Sequence, residues 1–255
     1  MANNLITSDY SVIKKAAEKI KEAERVIAFT GAGISVESGI PPFRGPDGLW
    51  SRYDPVVLDM NYFLNNPEDS WKVIKEIFYD FFGKAAPNPA HYALAELEKE
   101  GIIKNIITQN IDNLHQQAGS RNVIEFHGTS RTLACVNCGK KISFHEGLLE
   151  SLPPRCSECT GLLKPDFIFF GEGIPHQAYS SSIFETSNAD LWILVGTTGE
   201  IMPASMLPVN ASENGAYIIE VNINESNYTG SITDLFIKGK ASGVLSSIKK
   251  LILEE

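Results

Sequence analysis

All four cysteines of the chain fall into two Cys-x-x-Cys pairs, and this spacing is typical of a metal site. The pairs are Cys135 with Cys138 and Cys156 with Cys159, and residues 139–155 separate them. Each turn can direct two thiolates to one tetrahedral Zn²⁺ ion, and the second pair completes the ligand set. Because four thiolates leave no open coordination position, we expect a structural zinc. Two unrelated redox-active or buried pairs are the alternative interpretation.

One histidine stands where a sheet could present it for catalysis. His127 follows the short apolar run 123–126 and precedes Gly128. A histidine titrates near neutrality, so it can accept a proton from a hydroxyl group at physiological pH. A structural role is the default interpretation for the other histidines, which are His91, His115, His145 and His176.

A glycine turn follows the first predicted strand and could approach a dinucleotide phosphate. Gly31, Ala32 and Gly33 come directly after the apolar run 25–29, at the position where backbone N–H groups bind anions in dinucleotide-binding folds. Val36 stands where the usual fingerprint has its third glycine. A tight strand-to-helix turn without a nucleotide is therefore the alternative.

The elements that would position these residues alternate between strands and helices. Short apolar runs that end in Gly, Asn or Thr predict strands at 25–29, 102–108, 123–126, 167–170, 191–195 and 217–221. Amphipathic stretches between them predict helices, so we expect a doubly wound, parallel, Rossmann-like α/β sheet. The polar clusters after the strands would then meet at one edge, where such sheets bind ligands.

We expect three units along the chain. Residues 1–129 and 166–255 would form the sheet domain, 130–165 an inserted Cys₄ zinc module, and 42–66 a long loop of a kind that is usually functional or mobile. The module needs its metal because about 35 residues cannot build a core alone.

Composition limits the possible partners. The chain has 22 Lys and Arg against 31 Asp and Glu, a net charge of −9, which argues against direct binding to nucleic acid. No apolar run of about 18 residues predicts a membrane span, and the first residues carry no secretory signal. We therefore expect a cytoplasmic location.

Several separated motifs together resemble those of the sirtuins, which are NAD-dependent protein-lysine deacylases. They are Gly31-Ala-Gly-Ile-Ser35, Gly39-Ile-Pro-Pro-Phe-Arg44, Thr108-Gln-Asn-Ile-Asp112, His127-Gly128, the four cysteines and Phe170-Gly-Glu172. The resemblance runs from about Arg25 to about Leu245. It implies that NAD is consumed, that nicotinamide leaves the ribose, and that O-acyl-ADP-ribose and free lysine are the products.

The resemblance also implies roles for individual residues. His127 and Asn110 would be catalytic. The coenzyme would contact Gly31, Ala32, Gly33, Phe43, Arg44, Gln109, Asn110, Ile111, Asp112, Gly196, Thr197, Thr198, Asn222, Lys240 and Ala241. An acyl-lysine peptide would pair as an added strand with Phe170, Gly171, Glu172, Gly173, Ile201 and Met202.

The chain departs from the family at three places. Pro42 replaces an acidic residue before the Phe-Arg pair, and Gly199-Glu200 replaces the apolar residues that usually follow Gly-Thr-Ser. Ile74 and Ile77 stand where desuccinylases of the family carry Tyr-x-x-Arg. We therefore expect neutral acyl groups to be preferred, although ordinary core positions would explain both isoleucines equally well.

Three other functions remain open at this point. The same site could transfer ADP-ribose to protein. A Rossmann-like sheet could serve an NAD-dependent oxidoreductase. The cysteine module could be a docking unit on a catalytically silent scaffold, although residues 130–165 carry few cations for nucleic acid.

Overall fold

A computed structural model describes residues 10–43 and 48–254. Within these ranges the strands are β1 Val26–Thr30, β2 Ile103–Thr108, β3 Val123–Glu125, β4 Gly128–Cys135, β5 Lys141–Ser143, β6 Leu163–Phe167, β7 Leu191–Val195, β8 Tyr217–Asn222 and β9 Leu235–Lys238. The α-helices are α1 Tyr10–Glu22, α2 Met60–Asn65, α3 Pro67–Ile74, α4 Pro89–Lys99, α5 Leu114–Gln117, α6 His176–Asn188, α7 Met206–Glu213 and α8 Ala241–Leu253. The 3-10 turns are Ala32–Ser38, Leu49–Ser51, Pro55–Leu58, Phe82–Lys84 and Glu146–Leu149, and α3 continues as a π-helical stretch over Lys75–Phe81.

The larger sheet is parallel throughout, in the order β3-β2-β1-β7-β8-β9. The chain winds outward from β1 through β2 and β3 and returns on the other side of β1 at β7. The direction of winding therefore reverses between β1 and β7, where doubly wound sheets place their ligand cleft. Every residue of these two strands is buried, as expected for strands covered on both faces.

Two helical layers cover this sheet. Helices α1, α4 and α8 pack on one face around Ala28 and Ile193. Residues of α7 pack on the other face with Phe29 and Trp192. The prediction of a doubly wound α/β sheet with an inserted cysteine module is confirmed. None of the helices in the described ranges combines the length and the apolar character needed to cross a bilayer.

The cysteine module contains a separate antiparallel sheet in the order β5-β4-β6. The predicted strand at 167–170 was wrong: β6 ends at Phe167 and pairs with β4, not with the parallel sheet. A short apolar run does not reveal which sheet it joins. Gly128 faces Phe167 in this pairing, so the small sheet begins two residues before the predicted module boundary at 130.

The module shares its core with the helices that follow the first loop. Trp71 Nε1 donates to the Leu163 carbonyl oxygen at 2.9 Å, and Phe78 packs on Phe167 with ring centroids 4.9 Å apart. A second cluster of buried side chains joins α2 and α3 to β4 and β6. Besides the packing on the two faces of the parallel sheet, the described residues therefore form a second core that the module and these helices share. The cleft lies between this second core and the sheet, which the sequence did not indicate.

The described part of the 42–66 loop is held at several points. Asp54 and Asp59 cap short helical turns by accepting from the Val56 and Tyr62 amides at 2.9 and 3.0 Å. Leu58 accepts from the Phe170 amide at 2.8 Å. Residues 44–47 lie outside the described residues, so mobility of this loop stays a prediction.

Candidate active site

A cleft of about 950 Å³ opens at the carboxyl ends of the parallel strands, between the sheet and the second core. Nearly all predicted site residues line it: Gly31, Ala32, Gly33, Phe43, Gln109, Asn110, Ile111, His127, Phe170, Gly171, Glu172, Gly173, Gly196, Thr197, Thr198, Ile201, Met202, Asn222, Lys240 and Ala241. Asp112 is not part of this lining, and Arg44 lies outside the described residues. The structure thus gathers residues from eight separate segments of the chain into one cleft.

The glycine turn after β1 packs against the turn after β7. The Gly31 amide donates to the Val195 carbonyl oxygen at 3.0 Å, and the Gly33 amide donates to the Gly196 carbonyl oxygen at 2.8 Å. A Cβ atom built on Gly33 would lie 2.6 Å from the Gly196 Cα atom. The glycines therefore allow two backbones to meet. Their amides are already bonded to protein carbonyls, which the prediction of an amide–phosphate contact did not anticipate.

Asn110 is held in a buried polar network at the inner end of the cleft. Its Nδ2 atom donates to the Gly31 carbonyl oxygen and to Ser35 Oγ, both at 3.2 Å. Ser35 Oγ in turn donates to Asp112 Oδ2 at 2.7 Å. The Asn110 side chain is therefore fixed in orientation by a serine to which we had assigned no role.

Asp112 supports this network from behind the cleft wall. Its Oδ1 atom accepts from the Leu114 amide at 3.0 Å, so both carboxylate oxygens have partners within the protein. Burial raises the pKa of this carboxyl group, while the bonds from Leu114 and Ser35 oppose the shift. The structure places Asp112 where it orients Ser35, and the direct contact with the coenzyme that the resemblance implies stays a prediction.

His127 follows β3, and among the described residues only its Nδ1 atom has a hydrogen-bond partner. Its Nδ1 atom lies 3.0 Å from the Gln109 carbonyl oxygen. Because a carbonyl can only accept, Nδ1 carries the proton and Nε2 of the neutral ring keeps its lone pair. Burial lowers the pKa of His127, and the bond to Gln109 opposes that shift. Burial therefore favours the neutral ring, which is the form that a general base requires.

Gln109 connects the histidine to the coenzyme side of the cleft. Its backbone carbonyl orients His127, and its side-chain Nε2 donates to Thr197 Oγ1 at 3.0 Å. Asn222 Nδ2 donates to the Thr197 carbonyl oxygen at 3.0 Å. The turns after β2, β7 and β8 are thus joined in one hydrogen-bonded row.

Two buried histidines lie beneath this row. His115 Nε2 is 2.9 Å from Thr30 Oγ1, and Thr30 Oγ1 donates to Thr108 Oγ1 at 2.9 Å. The rings of His91 and His115 are 5.0 Å apart. Burial lowers the pKa of His91 to about 4 and places that of His115 well below its usual range. Both are buried core histidines, as the default interpretation expects.

The Glu172 side chain is used inside the protein. Its Oε2 atom accepts from the Phe169 amide at 2.8 Å and pairs at 2.9 Å with the buried ammonium of Lys164. Burial lowers the pKa of Lys164, and Glu172 opposes the shift. Glu172 therefore shapes the turn at 170–173. Phe170 and Met202, at the cleft, are 49% and 64% exposed.

The apolar end of the cleft is lined by residues other than those predicted for acyl specificity. Ile74 and Ile77 are buried in the second core and do not reach the cleft. Phe78, one residue further along, does line it. Further lining residues that the sequence did not indicate are Leu58, Phe167, Ile168, Phe169 and Ile174. A helix face this crowded with apolar residues does not reveal which of them meets a cavity.

The four cysteines form one cluster, in which Cys135 and Cys156 are buried and Cys138 and Cys159 are exposed. Their Sγ atoms all lie within 4.8 Å of one another, with Cys135 and Cys159 at 3.4 Å and Cys138 and Cys156 at 3.8 Å. Tetrahedral zinc with Zn–S bonds of about 2.3 Å requires S···S distances of about 3.8 Å. The backbone amide of Cys138 lowers the pKa of the Cys135 thiol to about 6. The donor set and its spacing therefore fit zinc, and the predicted four-thiolate cluster is confirmed.

Comparison with known proteins identifies the family. The Sir2 family model matches residues 31–203. NAD-dependent protein deacetylase 1 of Pyrobaculum aerophilum is 41% identical over 238 residues, which cover 92% of this chain and 93% of that protein. NAD-dependent protein deacylase 2 of Archaeoglobus fulgidus is 44% identical over 241 residues, covering 92% and 94%.

Solved structures agree with this assignment. A mutant Sir2 homologue in complex with ADP-ribose superimposes with a TM-score of 0.90 at 39% identity, covering 94% of this chain and 96% of that one. A complex of Sir2 with a p53 peptide and NAD⁺ gives a TM-score of 0.85 at 36% identity, covering 93% and 97%. The chain therefore belongs to the Sir2 family.

Proposed function

We propose that this protein is an NAD-consuming protein-lysine deacylase that releases nicotinamide, free lysine and O-acyl-ADP-ribose. The observation that carries the proposal is the position of His127, whose Nδ1 is bound to the Gln109 carbonyl oxygen and which lines the same cleft as Asn110. The names of the relatives, NAD-dependent protein deacetylase and deacylase, support it.

In this proposal His127 Nε2 accepts a proton from a ribose hydroxyl. The acyl oxygen of the substrate displaces nicotinamide at the ribose C1′ atom, and the deprotonated 2′-hydroxyl then attacks the acyl carbon. The lysine amine leaves with the proton that His127 took up, and a water molecule adds to the acyl carbon. The bond from that carbon to the former acyl oxygen then breaks, so this oxygen stays on C1′ and the acyl group stays on the 2′-oxygen. The Gln109 carbonyl contributes by fixing the ring and its tautomer.

Asn110 would form the polar end of the nicotinamide pocket, together with Ile111. Ser35 and Asp112 fix the orientation of its amide, so an incoming carboxamide meets a group that needs no reorganisation. Thr197, Thr198, Asn222, Lys240 and Ala241 would hold the adenosine half. A peptide would bind between residues 170–173 and 201–202, as the Sir2 complex with a p53 peptide suggests for a family member.

We propose further that neutral acyl groups are preferred. The wall that would meet the acyl chain contains Leu58, Phe78, Phe167 and Phe169. Among the described residues of the lining, the only cation is Lys240, on the side assigned to adenosine. An acyl carboxylate would therefore lose its water without gaining a guanidinium or ammonium partner.

Cys135, Cys138, Cys156 and Cys159 would hold the zinc. With all four positions filled by thiolates, the ion when bound ties the module together and offers no site to a substrate. Reduced thiolates favour a reducing compartment, so a cytoplasmic location belongs to the same proposal, as does the absence of direct nucleic-acid binding.

The test is to incubate the protein with NAD and an acetyl-lysine peptide and to identify the products by mass. Equal amounts of nicotinamide, deacetylated peptide and O-acetyl-ADP-ribose are expected, with no rise in absorbance near 340 nm. A peptide that gains ADP-ribose would indicate the transferase instead. Reduced coenzyme would indicate an oxidoreductase.

A further inference from the structure

A buried carboxylate in β8 holds a loop that lies behind both walls of the cleft. Glu220 is 1% exposed and accepts from three hydroxyl groups. Ser226 Oγ donates to Oε1 at 2.6 Å, while Thr229 Oγ1 and Thr233 Oγ1 each donate to Oε2 at 2.7 Å. Hydrogen bonds to a carboxylate are stronger than those between neutral groups. Glu220 thus fixes residues 226–233, which we call the clamp loop.

The clamp loop reaches the peptide side of the cleft through Tyr228. The phenol is 2% exposed, and its OH donates to the Ser205 carbonyl oxygen at 3.1 Å. Ser205 in turn donates through its amide to the Ile201 carbonyl oxygen at 2.8 Å and through Oγ to Met202 Sδ at 3.2 Å. Tyr228 therefore holds the turn that presents two predicted peptide-binding residues.

A second contact explains one departure from the family pattern. Gly199 has φ +74°, and a Cβ atom built on it would lie 2.9 Å from the Tyr228 ring. A side chain there would have to displace this ring. The Asn227 amide also donates to the Thr198 carbonyl oxygen at 3.0 Å. The clamp loop thus occupies space beneath residues 198–205 and bonds to both ends of that segment.

The loop is continuous with the coenzyme side as well. Residues 223–225, immediately before it, line the cleft next to Asn222. One buried carboxylate is therefore linked through short contacts to the wall assigned to adenosine and to the wall assigned to the peptide.

We propose that Glu220 and Tyr228 are positioning residues: Glu220 holds the clamp loop for both substrates, and Tyr228 transmits that support to the peptide wall. The proposal rests on the deacylase function for its kinetic consequences, but not for its structural ones. Neither residue lines the cleft, so neither is catalytic.

Tyr228→Phe removes one hydroxyl and keeps the ring, so it tests the link to the peptide wall alone. Amide exchange over residues 198–206 should speed up about threefold to tenfold, the equivalent of one hydrogen bond. The KM for the acyl-lysine peptide should rise by a similar factor, with the KM for NAD and the kcat within about twofold.

Glu220→Gln removes the charge and one pair of acceptor sites. We expect the KM values for NAD and for peptide both to rise about threefold to tenfold, with kcat within about twofold. Thr233→Val, which removes one donor to the same carboxylate, provides a milder change of the same kind if Glu220→Gln folds poorly. Glu98→Gln is the matched control, since Glu98 is also buried but accepts from the Arg121 and Asn122 amides, away from the cleft lining.

The control should lower thermal stability without changing either KM or the exchange over 198–206. If Tyr228→Phe and Thr233→Val leave this exchange unchanged, or lower only thermal stability as Glu98→Gln would, the proposal is overturned. Exchange is measured without substrate, so the proposal is decided even if the wild-type protein forms no O-acyl-ADP-ribose. That result would count against the deacylase function alone.

Discussion

The parallel sheet and the cysteine module are stabilised by different interactions. Strands β1 and β7 are buried along their whole length and covered by helices on both faces. The module has a three-stranded sheet whose outer strand β5 has no buried residue, and its four cysteines form one thiol cluster. The sheet can therefore present polar groups at its edge at little cost in stability. We expect the module to need its metal in addition to the core that it shares with α2 and α3. The cleft lies where the two regions meet.

The largest expected effect separates the two regions by removing a zinc ligand. Cys135→Ser leaves three thiolates, and metal binding to such sites is worth about 10 kcal/mol of folding free energy. Amide protection over 128–167 should be lost, while β1 and β7 stay protected because their core is independent. Hydrogen exchange and zinc content measure both effects. Ser157→Ala, an exposed change between two of the ligands, is the control.

If Cys135→Ser abolished amide protection in the parallel sheet as well as in the module, the two regions would form one cooperative unit. Retention of full protection in the module would show that zinc is dispensable. Either result would contradict the distinction between a sheet that is ordered by its own core and a module that needs its metal.

The next effect concerns the sheet edge, where His127 is expected to act as the base. His127→Ala should lower kcat by about 10²- to 10⁴-fold, the usual contribution of a general base. Binding of NAD, measured by calorimetry, should change little because the adenosine contacts remain. His176→Ala, on an exposed histidine, should leave both quantities unchanged. Full activity in His127→Ala would remove the residue from the mechanism.

A third effect concerns the buried histidines beneath the edge. The pKa of His91 is lowered from 6.5 to about 4, so between these values the unfolded chain binds a proton that the folded protein does not. The contribution of His91 to the free energy of unfolding is therefore fully present above pH 6.5. It decreases as the pH drops toward 4, and the total loss is about 3 kcal/mol. Urea unfolding at several pH values measures the slope.

His91→Gln should flatten this dependence, and His145→Gln, on an exposed histidine, should not. An unchanged slope in His91→Gln would mean that other groups account for the acid sensitivity.

The smallest effect concerns the boundary between the two regions, where the acyl chain would lie. Butyryl- and succinyl-lysine peptides have acyl chains of the same length and differ in charge. We expect kcat/KM to be at least about tenfold higher for butyryl, because a carboxylate in this apolar wall lacks a partner. Equal turnover, or faster turnover of succinyl, would contradict the proposed preference.

The sequence predicted the sheet and the cleft well because each strand ends in a recognisable turn. Glycine, asparagine and threonine mark the carboxyl ends of β1, β2, β7 and β8, and a parallel sheet brings these ends together. The four-thiolate cluster was predictable from its spacing alone. The turn residues and the cysteine spacing are both local patterns in the sequence, and the fold brings the distant segments that carry them together.

What the sequence did not predict depends on contacts between distant segments. The bond from Ser35 to Asp112 joins residues 77 positions apart, and no local pattern reveals it. The same holds for Gly33 packing on Gly196 and for the shared core of Trp71 and Leu163. On the helix after the loop, Ile77 and Phe78 are both apolar, and only packing decides that Phe78 reaches the cleft.

The most direct measurement follows the acyl oxygen with an isotope. An acetyl-lysine peptide labelled with ¹⁸O in the acetyl carbonyl group is converted in the presence of NAD, and the products are analysed by mass. The label should appear in the ADP-ribose portion of O-acetyl-ADP-ribose, because that oxygen replaces nicotinamide at the sugar carbon. Label found only in the acetyl portion, or released as labelled acetate, would contradict a cleft that joins the acyl group to the ribose before the amide bond breaks.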